Sequence, residues 1–245
     1  MPTTSPATEA RAAIEPGFAW DGQDAYLFDI DGTLLHSRDR IHYNSIASSI
    51  RSITGFEATL SGIVIHGSTD TAILRDACHQ AGIPGDVIEH RFEAMLDFMC
   101  QTVSDRRHEM ELALTPGVED TLRNLAHRGA LLGLATGNLE RIGWIKIEEA
   151  GLRRWFRFGG FSDHFPIRCE LIGAAARKAI ALAGAGARVC VVGDTPRDIE
   201  AARANSLPVI AVATGHFPFE ELLHYRPEVC ASSLADLLAL TRTAQ

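Results

Sequence analysis

Two acidic residues stand at the end of a short apolar run near the start of the chain. The run covers residues 25–28, and Asp29 and Asp31 follow it with one residue between them. An apolar, aromatic run of this length predicts a buried strand, and an open α/β sheet carries its chemistry at the carboxyl ends of its strands. Side chains two residues apart leave an extended chain on the same face, so these two carboxylates repel each other unless a cation lies between them. The spacing predicts a divalent cation such as Mg²⁺; a simple Asp-Gly turn is the alternative.

A second predicted strand, residues 130–135, runs directly into Thr136, Gly137 and Asn138. A hydroxyl and the free N–H groups of a helix start then arrive at the carboxyl end of a strand, an arrangement that binds phosphate. The alternative is a glycine turn followed by an Asn that caps the next helix.

A third predicted strand, residues 188–192, leads into Gly193 and Asp194. Thr195 as N-cap, with a proline after it and Asp198 three residues on, predicts a capping box at a helix start. The capping box does not explain Asp194, because an acid at the mouth of a buried strand needs a cation or hydrogen-bond donors. This strand end is therefore a further candidate for the same site.

Length, composition and charge limit what kind of protein the chain can be. At 245 residues with 46% hydrophobic content, it is long enough for a large α/β core with a smaller insertion. Its formal net charge is −8 and its basic residues are scattered, which argues against nucleic acid or an anionic membrane as the main partner. A small-molecule substrate is therefore expected.

The cysteines and the first residues of the chain indicate the compartment. The five cysteines show no C-x-x-C spacing, so we expect reduced packing residues rather than a zinc site or disulfides. No apolar run approaches transmembrane length, and the first twenty residues lack the apolar centre of a secretory signal. We expect a cytoplasmic protein whose residues 1–22 form a loose leader. The cysteines are Cys78, Cys100, Cys169, Cys190 and Cys230.

The part of the chain that follows the first strand, residues 36–110, contains almost no strand candidates. Apolar residues recur there at helical spacing, with breaks at residues 54–55 and 82–85. This pattern predicts a helical insertion. Its predicted helices cover residues 43–53, 69–81 and 87–103.

From residue 115 onward, predicted helices and strands alternate, which predicts a mainly parallel sheet with helices on both faces. The fold class is therefore α/β: a doubly wound, Rossmann-like core over residues 23–35 and 111–245, with an inserted α-helical cap at 36–110. The predicted strands of this second part cover 130–135, 156–158, 188–192 and 208–213, and its helices cover 118–128, 139–150, 170–183, 196–204 and 220–224, with a last helix from residue 234.

Together, the three strand ends resemble the haloacid dehalogenase (HAD) superfamily of phosphohydrolases. The resemblance is carried by D-x-D-G-T from Asp29 to Thr33, by Thr136, and by G-D-x-x-x-D from Gly193 to Asp198. It spans nearly the whole chain, and the helical insertion resembles the cap of the phosphoglycolate phosphatase-like branch. The resemblance implies a HAD-like core and a magnesium-dependent phosphatase that acts on a small phosphate monoester.

The resemblance also implies roles for the matching residues. Asp29 would be the nucleophile that takes the phosphoryl group, and Asp31 would protonate the leaving oxygen and then deprotonate the attacking water. Thr136 would hold the phosphoryl oxygens together with the N–H groups beside it, at Gly137 and Asn138.

The same resemblance implies a set of magnesium ligands. The metal would be held by the Asp29 carboxylate, the Asp31 backbone carbonyl and Asp194, with Asp198 as a ligand or a support. Such a metal agrees with the chemistry, because a carboxylate cannot approach a phosphate dianion unless cations and donors neutralise both.

The chain departs from the family at its third motif, which is usually a lysine. Lys146 and Lys178 are its two lysines, and Lys178 falls inside a predicted helix, where its reach would be poor. Arg168 lies just before that helix, in a predicted loop near the strand ends, so we expect it to supply the positive charge. A guanidinium can bind two phosphate oxygens. The alternative is a solvated surface residue.

Within the cap, a polar cluster opens a predicted helix. His66, Ser68, Thr69 and Asp70 are the candidates for contact with the substrate, because a cap closes over the site and reads the distal part of the substrate. The alternative is that Ser68, Thr69 and Asp70 cap the helix. The distal stretch 213–216 is interpreted mainly as a turn.

Other functions compete with the phosphatase for the same residues. A dehalogenase has little use for Asp31, and a phosphonate hydrolase needs a cap lysine, which residues 36–110 lack. A sugar-phosphate mutase would use the same acids and stays open. A non-catalytic binding protein would be expected to lose Asp29, Asp31 or Asp194, and none is lost. Glycolate, sugar and nucleotide phosphates all stay open as the substrate.

Overall fold

Residues 11–243 are described by this computed structural model, and within them the strands form one large sheet and one small sheet. The large sheet has the order β1-β9-β8-β7-β2-β5-β6, and its neighbours are parallel except for β1 and β9. The strands, in chain order, are β1 (Ala12–Ile14), β2 (Ala25–Phe28), β3 (Leu35–Ser37), β4 (Leu112–Leu114), β5 (Leu131–Ala135), β6 (Gly159–Gly160), β7 (Val189–Gly193), β8 (Val209–Val212) and β9 (Val229–Ala231).

Helices connect the strands of this sheet and form most of the insertion. The described α-helices are α1 (Ile41–Thr54), α2 (Asp70–Gln80), α3 (Gly85–Asp105), α4 (Val118–His127), α5 (Glu140–Glu149), α6 (Arg168–Ala183), α7 (Pro196–Ala204), α8 (Phe219–His224) and α9 (Leu234–Thr243), with short 3₁₀ turns at Arg107–Glu109 and Arg153–Trp155.

The large sheet is covered on both faces, as alternating helices and strands predict. Side chains alternate along a strand, and in β2 Tyr26 and Phe28 enter one hydrophobic core while Ala25 and Leu27 enter the other. The four side chains are fully buried. The predicted doubly wound, mainly parallel α/β fold is confirmed.

The N-terminal segment differs from the predicted loose leader over residues 1–22. Residues 1–10 lie outside the described residues, but β1 pairs antiparallel with β9 and extends the sheet. Trp20 is buried, and its carbonyl accepts a hydrogen bond of 2.7 Å from the hydroxyl of Tyr26. Local sequence does not indicate β1, because its partner strand lies almost at the other end of the chain.

The helical insertion is joined to the sheet through the small antiparallel pair β3 and β4. Helices α1, α2 and α3 pack around a separate apolar cluster, to which Ile142 and Ile145 of α5 and its N-cap residue Leu139 also contribute. The insertion therefore rests on α5 rather than standing free of the core.

One predicted strand lies slightly earlier in the sequence than the observed one. The prediction placed it at residues 156–158, whereas β6 is Gly159–Gly160, paired with Leu134 and Ala135 of β5. Phe156 and Phe158 are buried in the two cores instead. The prediction followed the apolar residues, but the ladder forms at the glycines after them.

All five cysteines are free thiols, three of them buried, as expected for packing residues. Among residues 11–243, no helix has both the length and the apolar character that crossing a membrane requires.

Candidate active site

The polar residues at the three predicted strand ends meet at one edge of the large sheet. Strands β5, β2 and β7 are adjacent and parallel, so their carboxyl ends reach the same edge. Asp29 follows β2, Thr136 follows β5 and Asp194 follows β7. All three side chains are buried. The geometry thus brings the three motifs into a single site.

Three carboxylates gather at this edge. Asp29, Asp194 and Asp198 each offer a carboxylate oxygen, and these oxygens lie within 4.8 Å of one another. The three side chains are buried, so water screens their repulsion poorly. Hard oxygen donors at this spacing suit Mg²⁺, which binds carboxylates. The donor set therefore fits the metal that the resemblance implies.

Asp198 has both of its carboxylate oxygens engaged by protein donors. Its Oδ2 accepts hydrogen bonds from the backbone N–H of Thr195 at 3.1 Å and from the Thr195 hydroxyl at 2.7 Å. This contact belongs to the predicted capping box, which is present at the start of α7. Its Oδ1 accepts from Arg168. Of the two roles left open for Asp198, the geometry favours support over direct metal binding.

Arg168 lies between two acids of the cluster. Its Nη2 is 3.0 Å from Oδ2 of Asp29, and its Nε donates to Asp198 at 3.0 Å. With 9% of its side chain exposed, Arg168 is not the solvated surface residue of the alternative interpretation. It begins α6 rather than preceding it in a loop, because α6 starts two residues earlier than predicted. Lys178 donates to the Gly159 carbonyl at 2.9 Å instead.

Burial makes the carboxylates of the cluster difficult to ionise together. It raises the pKa of Asp29 from 3.8 to about 6, and the Arg168 guanidinium offsets only part of this effect. Burial also raises the pKa of Asp194, and the charges of Asp29 and Asp198 add to the rise. A 2.9 Å hydrogen bond donated by the Thr33 hydroxyl to Asp194 acts in the opposite direction. Without a further cation the cluster is therefore electrostatically strained.

We expect Asp29→Asn to stabilise the metal-free protein at pH 7.5. An acid whose pKa is raised on folding holds its proton more tightly when folded, so its ionisation penalises the folded state above pH 6. The penalty shrinks as the pH falls from about 6 towards 3.8. The rise in the pKa of Asp29 from 3.8 to about 6 corresponds to roughly 3 kcal/mol of unfolding free energy. Urea denaturation of both proteins in EDTA measures the difference.

The control for this prediction is Asp120→Asn, which removes the same charge from an exposed residue on α4. It should show no comparable gain. Repeating the urea denaturation at pH 4.5 should reduce the advantage of Asp29→Asn to a fraction of its value at pH 7.5. An advantage that does not depend on pH would contradict the raised pKa.

Asp31 lies outside the three-acid cluster and contacts a lysine to which the sequence analysis gave no role. Nζ of Lys146 donates to both carboxylate oxygens of Asp31, at 2.8 and 2.6 Å, and to Oδ1 of Asn138 at 2.8 Å. Lys146 is 2% exposed, whereas Asp31 is 43% exposed and lines the cavity above the cluster. Burial acts to raise the pKa of Asp31, but Lys146, His42 and Asn138 together hold it below its ordinary value.

The stretch after β5 is tied to both the core and the cap. Nδ2 of Asn138 donates to the Thr136 hydroxyl at 2.7 Å and to Oδ2 of Asp31 at 2.8 Å. A Cβ on Gly137 would lie 2.5 Å from the carbonyl oxygen of Ser68, so only glycine lets the cap approach this closely. Thr136, Gly137 and Asn138 all line the cavity.

Three of the four cap candidates reach this cavity, which has a volume of about 250 Å³. His66, Ser68 and Asp70 line it. The His66 ring stacks on the ring of His216, with 4.3 Å between the ring centroids. His216 belongs to the stretch 213–216 that is interpreted above as a turn. Thr69 lies outside the lining, because its side chain caps α2 and its hydroxyl donates to the Pro166 carbonyl at 2.7 Å. For Thr69 the capping alternative describes the structure.

Helix α2 holds the cap against the core through its first residue. The backbone N–H of Asp70 donates to the Gly137 carbonyl at 2.8 Å, and its Oδ2 accepts from the Leu139 N–H at 2.9 Å. The same oxygen lies 3.0 Å from Nε2 of His42, which the sequence analysis did not single out. A larger cavity, about 820 Å³, lies at the opposite ends of the strands and contains none of the candidate residues.

The family described as haloacid dehalogenase-like hydrolase matches residues 26–212. The match covers more than half of the chain and includes the three strand-end motifs and Arg168. The chain therefore belongs to the haloacid dehalogenase-like hydrolases and is an enzyme of that family. The resemblance inferred from its motifs is confirmed.

Curated relatives and a solved structure agree with this assignment. A phosphoglycolate phosphatase of Xanthomonas campestris pv. campestris (strain 8004) is 31% identical over 204 residues, covering 78% of this chain and 84% of the relative. One from Mesorhizobium japonicum is 29% identical over 197 residues, covering 78% and 82%. The crystal structure of a predicted phosphoglycolate phosphatase from Haemophilus somnus 129pt has a TM-score of 0.64 at 20% identity, covering 89% of this chain and 98% of that one. This last likeness shows the fold.

Proposed function

We propose that this enzyme is a magnesium-dependent phosphatase that hydrolyses a small phosphate monoester through a phospho-aspartate on Asp29. The observation that carries the proposal is the buried Asp29 carboxylate, 3.0 Å from the guanidinium of Arg168 and clustered with Asp194. A carboxylate can attack a phosphate dianion only where positive charge offsets both. The curated relatives, named phosphoglycolate phosphatases, support hydrolysis of a phosphate ester.

In the first half-reaction, a carboxylate oxygen of Asp29 attacks phosphorus and the bond between phosphorus and the ester oxygen breaks. The leaving alkoxide takes its proton from Asp31, which lines the same cavity. The Arg168 guanidinium and the N–H groups that follow Thr136 hold the phosphoryl oxygens.

In the second half-reaction, Asp31 removes a proton from water, and the water oxygen attacks the phosphorus carried by Asp29. The bond between phosphorus and the Asp29 oxygen breaks, and inorganic phosphate leaves. The pair with Lys146 suits Asp31 to this step, because it keeps the side chain ionised in the free enzyme, and only the ionised carboxylate can accept a proton. In the first step the nearby phosphate dianion favours the protonated form, because negative charge raises the pKa of a carboxyl group.

Asp29 and Asp194 would hold the magnesium ion, with the backbone carbonyl of Asp31. Asp198 would hold the Arg168 guanidinium in position through the hydrogen bond that it accepts from Nε of Arg168. When bound, magnesium supplies charge neutralisation at the carboxylates and at the phosphoryl oxygens.

Phosphate release should require magnesium and disappear in excess EDTA, because the clustered carboxylates otherwise repel one another and the substrate. The measurement is phosphate release from a panel of phosphorylated metabolites, with kcat/KM compared across them. Returning magnesium to the chelated enzyme should restore turnover, whereas Asp194→Asn should need far more magnesium. Undiminished turnover in EDTA would rule out the metal-dependent mechanism.

A further inference from the structure

The cavity above the acid cluster has two chemically different walls. The core wall contains Asp29, Asp31 and Asp194 with the cations Lys146 and Arg168, whereas the cap contributes no lysine or arginine to the lining within the described residues. A volume of about 250 Å³ leaves room for only a small leaving group beside the phosphoryl group. Four side chains of the cap wall are aromatic or aliphatic: Tyr43, Ile46, Ile65 and Ile73.

Both cations of the lining are already engaged at the core wall. Lys146 uses its three N–H groups on the two oxygens of Asp31 and on Asn138. Arg168 binds Asp198, lies against Asp29, and directs Nη1 to the Gly67 carbonyl at 3.4 Å. Neither cation therefore faces the distal part of a substrate.

The cap wall has negative charge of its own. Asp39 and Asp70 both line the cavity, and backbone N–H groups hold both carboxylates in place. The imidazole of His42 lies 3.0 Å from Asp70, so any positive charge on the ring is offset by a carboxylate in contact with it. A second anionic group on the substrate would lie close to the carboxylates of Asp39 and Asp70 and would be repelled by them.

His66 is the other imidazole of this wall. Its ring is stacked face to face on His216, 4.3 Å away with an interplanar angle of 2°. Burial, and then the charge of His216, lower the pKa of His66, which favours the neutral form of its ring. A neutral imidazole exchanges hydrogen bonds with a hydroxyl but does not neutralise a carboxylate.

We infer that the leaving group of the substrate is an uncharged small alcohol or polyol and not a hydroxy acid. The inference rests on the proposed phosphatase function. A carboxylate on the leaving group would enter a space formed by apolar side chains and by Asp39 and Asp70, where neither Lys146 nor Arg168, the cations of the described lining, is free to pair with it, and an unpaired charge there is costly. A hydroxyl would instead find the ring of His66.

The test compares esters that differ in one group. 2-Hydroxyethyl phosphate and phosphoglycolate have the same number of carbons and differ only in CH₂OH against carboxylate, and glycerol 3-phosphate and 3-phosphoglycerate form a second such pair. With magnesium present, kcat/KM for the uncharged member should exceed that for the acid at least tenfold in each pair. p-Nitrophenyl phosphate separately reports whether the enzyme hydrolyses phosphate esters at all.

A variant of the cap wall tests the electrostatic cause. Ile65→Lys places a cation in a half-buried position of the lining. It should lower the ratio of kcat/KM for the uncharged ester to kcat/KM for the acid by at least tenfold. Ile65→Met changes shape without charge and should keep the ratio of the parent. Circular dichroism checks that both variants are folded.

A cation outside the lining is the remaining alternative. The exposed Arg197 donates to the hydroxyl of Ser68, a residue of the lining, at 2.6 Å. The guanidinium of Arg40 is also exposed and lies over the Tyr43 ring, 4.3 Å from its centroid. Arg197→Ala and Arg40→Ala should each leave the ratio unchanged. If the parent prefers phosphoglycolate to 2-hydroxyethyl phosphate, the inference is wrong, and loss of that preference in one of these two variants would identify the responsible cation. If no ester is hydrolysed, including p-nitrophenyl phosphate, the proposed function itself fails and the inference with it.

Discussion

Asp29→Asn should bind substrate but never acquire a phosphoryl group. The amide that replaces the carboxylate is a poor nucleophile, so the first half-reaction stops although Arg168 and the loop after β5 can still hold the phosphate. Turnover should fall to background. The measurement is a rapid acid quench followed by intact-mass analysis and peptide mapping, in which the parent shows one added phosphoryl group on the peptide that contains Asp29.

Asp31→Asn serves as the matched comparison, because the two acids lie two residues apart but have different contacts. With p-nitrophenyl phosphate the leaving group needs no proton, so this variant should be phosphorylated while its hydrolysis slows by about 10²- to 10⁴-fold. The phosphoenzyme should then accumulate. The variant leaves Lys146 buried without its carboxylate, so Asp31→Asn/Lys146→Met is the folding control. A phosphoryl group on Asp29→Asn would overturn the assignment of the nucleophile.

Arg168→Ala should reduce both activity and stability. Loss of a charged donor to the phosphoryl group costs about 2 to 4 kcal/mol of transition-state stabilisation. The same change leaves the carboxylates of Asp29 and Asp198 buried without their cation, which typically costs roughly 3 to 5 kcal/mol of unfolding free energy. The measurements are kcat/KM at saturating magnesium and urea denaturation in EDTA.

Arg168→Lys should recover part of both losses. An ammonium keeps the charge but lacks the planar fork that reaches Asp29 and Asp198 together. Arg177→Ala, an exposed change on the same helix α6, is the control and should affect neither quantity. Full activity in Arg168→Ala would refute the third-motif assignment and leave Lys146 and Lys178 to be tested.

The central strands could be predicted because each is a continuous apolar run. A strand of a parallel sheet is buried on both faces, so its sequence is apolar throughout, and β5 and β7 each lie within one residue of their predicted limits. The antiparallel edge strand β1 gives no such signal. It is three residues long, half-buried, and its partner is β9. Its formation depends on a distant partner rather than on its own sequence.

The acids could be predicted because they directly follow such strands, so the fold places them without knowledge of the tertiary contacts. Lys146 on α5 meets Asp31 in the loop after β2, and His42 on α1 meets Asp70 on α2, so both pairs join residues that are distant in the sequence. Lys146 did leave one signal. It continues the helical spacing of two apolar residues, the N-cap Leu139 and Ile142 of α5, and a lysine in an apolar stripe needs a buried partner.

The pairing of β1 with β9 has a consequence for the order in which the chain can fold. Synthesis proceeds from the N-terminus, so β1 emerges from the ribosome first but has no partner until residues 229–231 have been made. The parallel strands between them can assemble earlier. Contacts of such high sequence separation form slowly, and an unpaired strand edge attracts other chains in the meantime. The closing of this edge is therefore expected to be a late step, and the step at which a nascent chain is most exposed to aggregation.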